Sequence, residues 1–173
     1  PLAELVGADE ADRLALDAAL GAWTEALVVP DDDAADAAIG RLRAAERGRA
    51  TFLVLSRVGK TQPERSPTPP GSTPALTLAK ADARLQPLLQ ALLGNTFVVG
   101  SLMEARALRD TYPVARFVTR EGGWTDASGA VHGGSATPSE GAGRFGVRER
   151  LADAAEALAE TERVRDAAET AAE

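Results

Sequence analysis

The stretch ALLGNTFVVGSLMEARALRD, residues 91–110, orders four features: a helix end at Leu-Gly, a Val-Val strand, a capping position and an Ala-bearing helix. The same order occurs earlier, in AALGAWTEALVVPDDDAADAAIGRLR at 18–43. A second apolar strand follows each copy, ATFLVL at 50–55 and ARFVTR at 115–120. Strand, crossover helix and strand make a β-α-β unit whose strands lie parallel in one sheet. The echo predicts an α/β (α+β) fold of two similar small lobes.

Working toward the amino terminus, Asp9 is the expected N-cap of a helix through EADRLALDAAL, with Leu14, Ala15, Ala18 and Ala19 on neighbouring faces and Gly21 at its exit. EALVV reads as a short buried strand. Asp31, Asp32 and Asp33 offer caps for the next helix, whose inward side carries Ala35, Ala38, Ile39 and Leu42 and whose end is Gly48. Between the copies, GKTQPERSPTPPGSTP at 59–74 is rich in prolines that deny donors to a sheet, and it reads as a surface loop between lobes.

Toward the carboxyl terminus, EGGWTDASGAVHGG at 121–134 predicts a hairpin around an Asp126-to-Gly129 turn. A polar loop leads from it to Val147, where 27 residues free of Gly and Pro predict a helix about 40 Å long. Val147, Leu151, Ala154, Leu158 and Thr161 step by four and three, the spacing of a coiled-coil strand; a helix packed on its own domain is the alternative. The expected division is a first lobe at 1–58, the inter-lobe loop at 59–74, a second lobe with the Gly-rich hairpin at 75–140, and an exit linker with outgoing coiled coil at 141–173.

Composition narrows the chemistry. The 173 residues include no cysteine and one histidine, which removes disulfides, thiolate zinc and thiol nucleophiles and leaves no imidazole-rich metal centre. A net charge of −7 speaks against a uniformly basic coat for nucleic acid. No apolar run nears the roughly 20 residues that cross a bilayer, and the first residues lack a signal-peptide plan, so a soluble, intracellular chain is expected. Starting at PLAELVGADE without Met, it is expected to be an excised or processed piece.

Two phosphate-loop patterns fail on context. GAGRFG at 141–146 fits G-x-G-x-x-G, but a loop precedes it and no second strand follows. GKT at 59–61 follows a strand, yet Val54 stands where a P-loop needs its first glycine. His132 is expected to be structural rather than a general base, and Trp23 and Trp124 to be packing groups rather than base-stacking platforms.

The sharpest pattern is Gly122, six residues, Gly129, three residues, then Gly133 and Gly134, with Gly123 and Ser135 keeping the surface bare. Glycines crowded into strand-like sequence mark turns, bulges or the close approach of another backbone. Such an edge suits pairing with a second chain.

With these residues in hand the sequence resembles the hinge domain of the structural maintenance of chromosomes (SMC) proteins. AALG at 18–21, GRATFLVL at 48–55, ALLGNTFVV at 91–99, FVTREGG at 117–123, GAVHGGS at 129–135 and GRFGVRERL at 143–151 carry the resemblance in the family's order, and G-x6-G-x3-G-G is its hinge glycine pattern. The resemblance implies a bacterial source and a doughnut-shaped homodimer, with the edge bearing Gly122, Gly123, Gly129, Gly133, Gly134 and Ser135 paired against the first lobe of the other protomer. It further implies a chromosome condensation and segregation ATPase whose coiled-coil arms end in distant heads, with kleisin and accessory subunits bound only through those absent parts. The hinge itself is expected to be non-enzymatic and without cofactor, in a cytoplasmic, nucleoid-associated protein. DNA contact is implied at Arg144, Arg148 and Arg150, while Arg41, Arg43, Arg47 and Arg49 form another local excess that pairing with Glu46 would neutralise. The lengthened proline-rich loop departs from the family pattern. The alternatives are a small monomeric α/β nucleotide-binding enzyme and a stand-alone nucleic-acid-binding module.

Overall fold

The computed structural model of the chain describes residues 1–59 and 65–134. The expected coiled-coil helix and exit linker, together with Ser135, Arg144, Arg148 and Arg150, lie outside the described residues. In chain order the regular elements begin with β1 (Val6–Gly7), α1 (Arg13–Leu20), β2 (Leu27–Val29), α2 (Asp32–Ala44) and β3 (Phe52–Val54). There follow β4 (Thr73–Pro74), β5 (Lys80–Ala81), α3 (Gln86–Leu93), β6 (Thr96–Val99), α4 (Leu102–Arg109), β7 (Arg116–Thr119), β8 (Trp124–Thr125) and β9 (Val131–His132).

Both copies of the sequence echo fold as β-α-β units. β2 runs parallel to β3 with Val28 opposite Leu53, and β6 parallel to β7 with Phe97 opposite Phe117. Their helices start by the same chemistry at matching positions. Asp31 Oδ1 accepts the Ala34 amide at 2.9 Å, and Ser101 Oγ accepts the Glu104 amide at 3.2 Å. Glu104 also reaches back to accept the Gly100 amide at 2.9 Å, a variation on the capping box. The shared Leu-Gly helix ends serve different needs. Gly21 takes a positive φ of 52°, whereas a Cβ on Gly94 would lie 2.5 Å from the Gln90 carbonyl oxygen, which leaves no room for one.

The first helix differs from its expected form. Asp9 makes no capping hydrogen bond; its carboxylate meets Lys80 of β5 instead, where β1 and β5 pair antiparallel. A 3-10 turn at Glu10–Asp12 therefore precedes α1, and the buried face is Ala15, Leu16, Ala19 and Leu20. In α2 only Ala35 is buried, and Ile39 remains 40% exposed. The prolines at 59–74 do not keep that whole segment off a sheet. Thr73 and Pro74 form β4, antiparallel to β6, with Pro74 at a sheet margin where a missing donor is tolerated, and Pro69 is fully buried.

β4, β6, β7, β8 and β9 form one five-stranded sheet in that order, and β2 and β3 form a separate two-stranded one. Strand alternation divides the larger sheet into two apolar faces. Phe97, Val99 and Phe117 pack with Ala105 of α4 and with Ala115. Val98 and Val118 on the opposite face join Leu16 and Leu20 of α1, Leu88, Leu89 and Leu93 of α3, and Leu53 of β3. The amino-terminal helix thus packs on the sheet built by the second copy, and one core draws on both halves of the sequence.

Candidate functional site: an open sheet edge

β9 ends the five-stranded sheet, and among the described residues no further strand pairs with it. Val131 is 45% exposed there, and His132 is exposed beside it. Local hydrogen bonds set the turns of this margin. Asp126 Oδ1 accepts from the Ser128 amide at 3.0 Å and from its hydroxyl at 2.5 Å; the Gly129 amide closes the turn on the Asp126 carbonyl at 3.1 Å. Between β7 and β8, the Thr119 amide donates to the Gly123 carbonyl at 2.7 Å and the Gly122 amide to the Thr119 carbonyl at 3.0 Å.

The patterned glycines divide by cause. Gly122, Gly129 and Gly134 have positive φ values of 85°, 84° and 141°. Gly123 and Gly133 instead lie over Leu102 of α4, where an added Cβ would stand 3.2 Å and 2.8 Å from its Cδ1. Close approach is therefore a reason for the last two, but the approaching group is the chain's own helix. Leu102 is the partner that spacing alone did not show.

A column of two rings and a guanidinium crosses this end of the sheet. The Arg116 guanidinium stands 4.4 Å above the Trp124 ring, and Trp124 stacks on His132 with centroids 5.6 Å apart and planes 15° apart. These residues share a face because Trp124 is opposite both Val118 of β7 and His132 of β9. Arg116 Nη2 donates to the Ala18 carbonyl at 3.0 Å, which ties β7 to the end of α1. Burial lowers the pKa of Arg116 below the ordinary arginine value, opposed by the Asp126 carboxylate. His132 and Trp124 act here as stacked packing groups; Trp23 is 44% exposed.

The second margin belongs to the two-stranded sheet. Neither β2 nor β3 has another strand neighbour among the described residues, and Leu27, Val28, Val29, Phe52 and Val54 are only half-buried. At the end of α2 and just beyond, Arg41, Arg43, Arg47 and Arg49 are all exposed, and no ion pair joins them to Glu46 among the described residues. The described residues contain no cluster of metal-ligating side chains and no helix long and apolar enough to cross a membrane.

Comparison with known proteins gives a consistent result. The family model of the SMC proteins flexible hinge domain matches residues 1–109. The chromosome partition protein Smc of Synechococcus sp. is 39% identical over 139 residues, covering 78% of this chain and 11% of that protein. The chain therefore spans about a tenth of that relative's length. The crystal structure of an asymmetric dimer of the Geobacillus stearothermophilus SMC hinge domain superposes with a TM-score of 0.69 at 26% identity, covering 92% of this chain and 69% of that one. A Pyrococcus furiosus Smc hinge domain with an extended coiled coil also gives 0.69, at 32% identity and coverages of 94% and 57%.

Replacing Trp124 by Ala removes both the lid over Arg116 and the surface under His132. The expected loss is about 2–4 kcal/mol of stability, read as a lower urea midpoint with an unchanged slope. An unchanged midpoint would show that the column carries no weight.

Proposed function

This chain belongs to the SMC flexible hinge domain family, and from that premise we propose that it is a homodimerisation module in which β9 of one copy extends the β2–β3 sheet of the other. The observation that carries the reading is the presence of two unsatisfied margins on one chain. Among the described residues β9 is an open edge with Val131 45% exposed, and β2–β3 is a parallel pair with half-buried apolar residues and no strand on either side. A two-stranded sheet is marginal alone, and parallel strands are normally covered on both faces. Joining the two margins across a two-fold axis makes the junction twice and covers β9 and one side of the β2–β3 sheet in each copy. The Geobacillus hinge, an asymmetric dimer, supports self-association as such.

The role is mechanical and calls for no cofactor. In the whole protein the hinge would join two coiled-coil arms, as the Pyrococcus structure with its extended coiled coil supports for the segment from Val147. ATPase heads and kleisin subunits at the far ends, and a nucleoid-associated location in the cytoplasm, complete the proposal. The Gly122 to Gly134 pattern shapes the pairing edge from within, and Ser135 follows it in the sequence. Val131 is therefore a cleaner probe than the glycines, since a bulky group at Gly133 would displace Leu102 of its own chain.

Val131→Glu places a charge on the pairing edge. It is expected to weaken the dimer by on the order of tenfold or more in sedimentation equilibrium while leaving the circular dichroism spectrum intact. A folded variant with the parent's dimer affinity would refute the edge assignment.

DNA contact forms the second part of the proposal, resting on Arg144, Arg148 and Arg150 at the start of the outgoing helix sequence. Changing all three to Glu is expected to reduce retention of duplex DNA in a gel shift, most visibly at low salt, with the dimer mass unchanged. Equal retention by the variant would remove these arginines from the site.

A further inference from the structure

α2 carries an outward stripe that the fold leaves uncovered. Asp36, Ile39, Gly40 and Arg43 fall at i, i+3, i+4 and i+7, which is one helix face, and all four are exposed. Ala35 of the same helix is buried, with Ala38 and Leu42 half-buried, so the core contact lies on a different side. Ile39 is 40% exposed in the middle of the stripe. Gly40 is a helix-interior glycine without an internal cause: its φ is not positive, and a Cβ built on it meets nothing within 4 Å. Such a glycine weakens the helix relative to alanine and leaves room for another backbone to come close.

The charges specify what approaches. Asp36 lies three residues before Ile39 and Arg43 three residues after Gly40, and neither has an ion-pair partner among the described residues. A second α2 laid antiparallel about an axis between Ile39 and Gly40 sets each Asp36 against the other copy's Arg43. A parallel one would set like charges together. Complementarity with the helix's own dipole explains Asp32 and Asp33 in the first turn and Arg41 and Arg43 in the last. It explains neither an exposed isoleucine nor an unforced glycine between them.

We infer that α2 is a second self-association surface, which pairs antiparallel with α2 of another copy through Ile39 and Gly40 and is clamped by two Asp36–Arg43 ion pairs. The contact is small and weak, in the range of transient interfaces. It is independent of the β9 edge, because it uses a helix face rather than a strand margin. Between molecules already joined at their hinges, it would link one dimer to the next.

The chain has no cysteine, so single introduced thiols report proximity directly. Gly40→Cys brings two thiols together across the proposed axis, whereas Asp33→Cys on the same helix leaves them about 20 Å apart. Under mild oxidation the first variant is expected to form a disulfide-linked pair several-fold faster than the second. Adding Arg43→Asp to Gly40→Cys should remove that advantage, and further adding Asp36→Arg should restore it. Equal rates at the two positions, indifference to the charge reversal, or failure of the double exchange to restore linking would each overturn the inference. Linking at Gly40→Cys that appears only with added duplex DNA would overturn it too, in favour of a polyanion as the occupant.

Discussion

A strand at the margin of a sheet presents a row of peptide groups whose hydrogen bonds must go to water, to a covering element or to another strand. This chain meets that constraint unequally. β4, at one side of the larger sheet, is only two residues long and contains a proline, which blunts it. β9, at the other side, is equally short but carries the exposed Val131 and no proline, and the small β2–β3 sheet has too little structure to stand alone. The proposed pairing between copies would answer both deficits by one kind of contact, so topology and family membership support the same reading.

The interior prepares that edge rather than merely supporting it. α1 and α3 cover one face of the five-stranded sheet and α4 the other. Arg116 then connects the end of α1 to Trp124, and Trp124 carries His132. On the opposite face, Leu102 fills the space left by Gly123 and Gly133. Both faces of this short terminal strand are thus held, one by stacked rings and one by a leucine.

Much of the architecture was legible because its signals are local. The repeated Leu-Gly, Val-Val and cap sequence fixed two β-α-β units, and the caps at Asp31 and Ser101 formed as spacing implied. The Asp126-to-Gly129 hairpin followed from turn chemistry. Less legible were choices made by distant partners. Asp9 left its capping role for Lys80, seventy-one residues away, and Pro74 joined a sheet because an edge position tolerates it. The glycine pattern was visible as a pattern, but its causes were mixed, since only the folded chain shows Leu102 beneath two of the five glycines from Gly122 to Gly134. The Arg116, Trp124 and His132 column carries no sequence signature at all; it depends on strand register.

Hydrogen exchange of the backbone, followed residue by residue as protein concentration is raised, tests the pairing of margins most directly. The account predicts that amides of Val131 and His132, together with those along one side of the β2–β3 sheet, slow in parallel as the dimer fills. Exchange at β9 that is fast and independent of concentration, in a sample that sediments as a dimer, would contradict it.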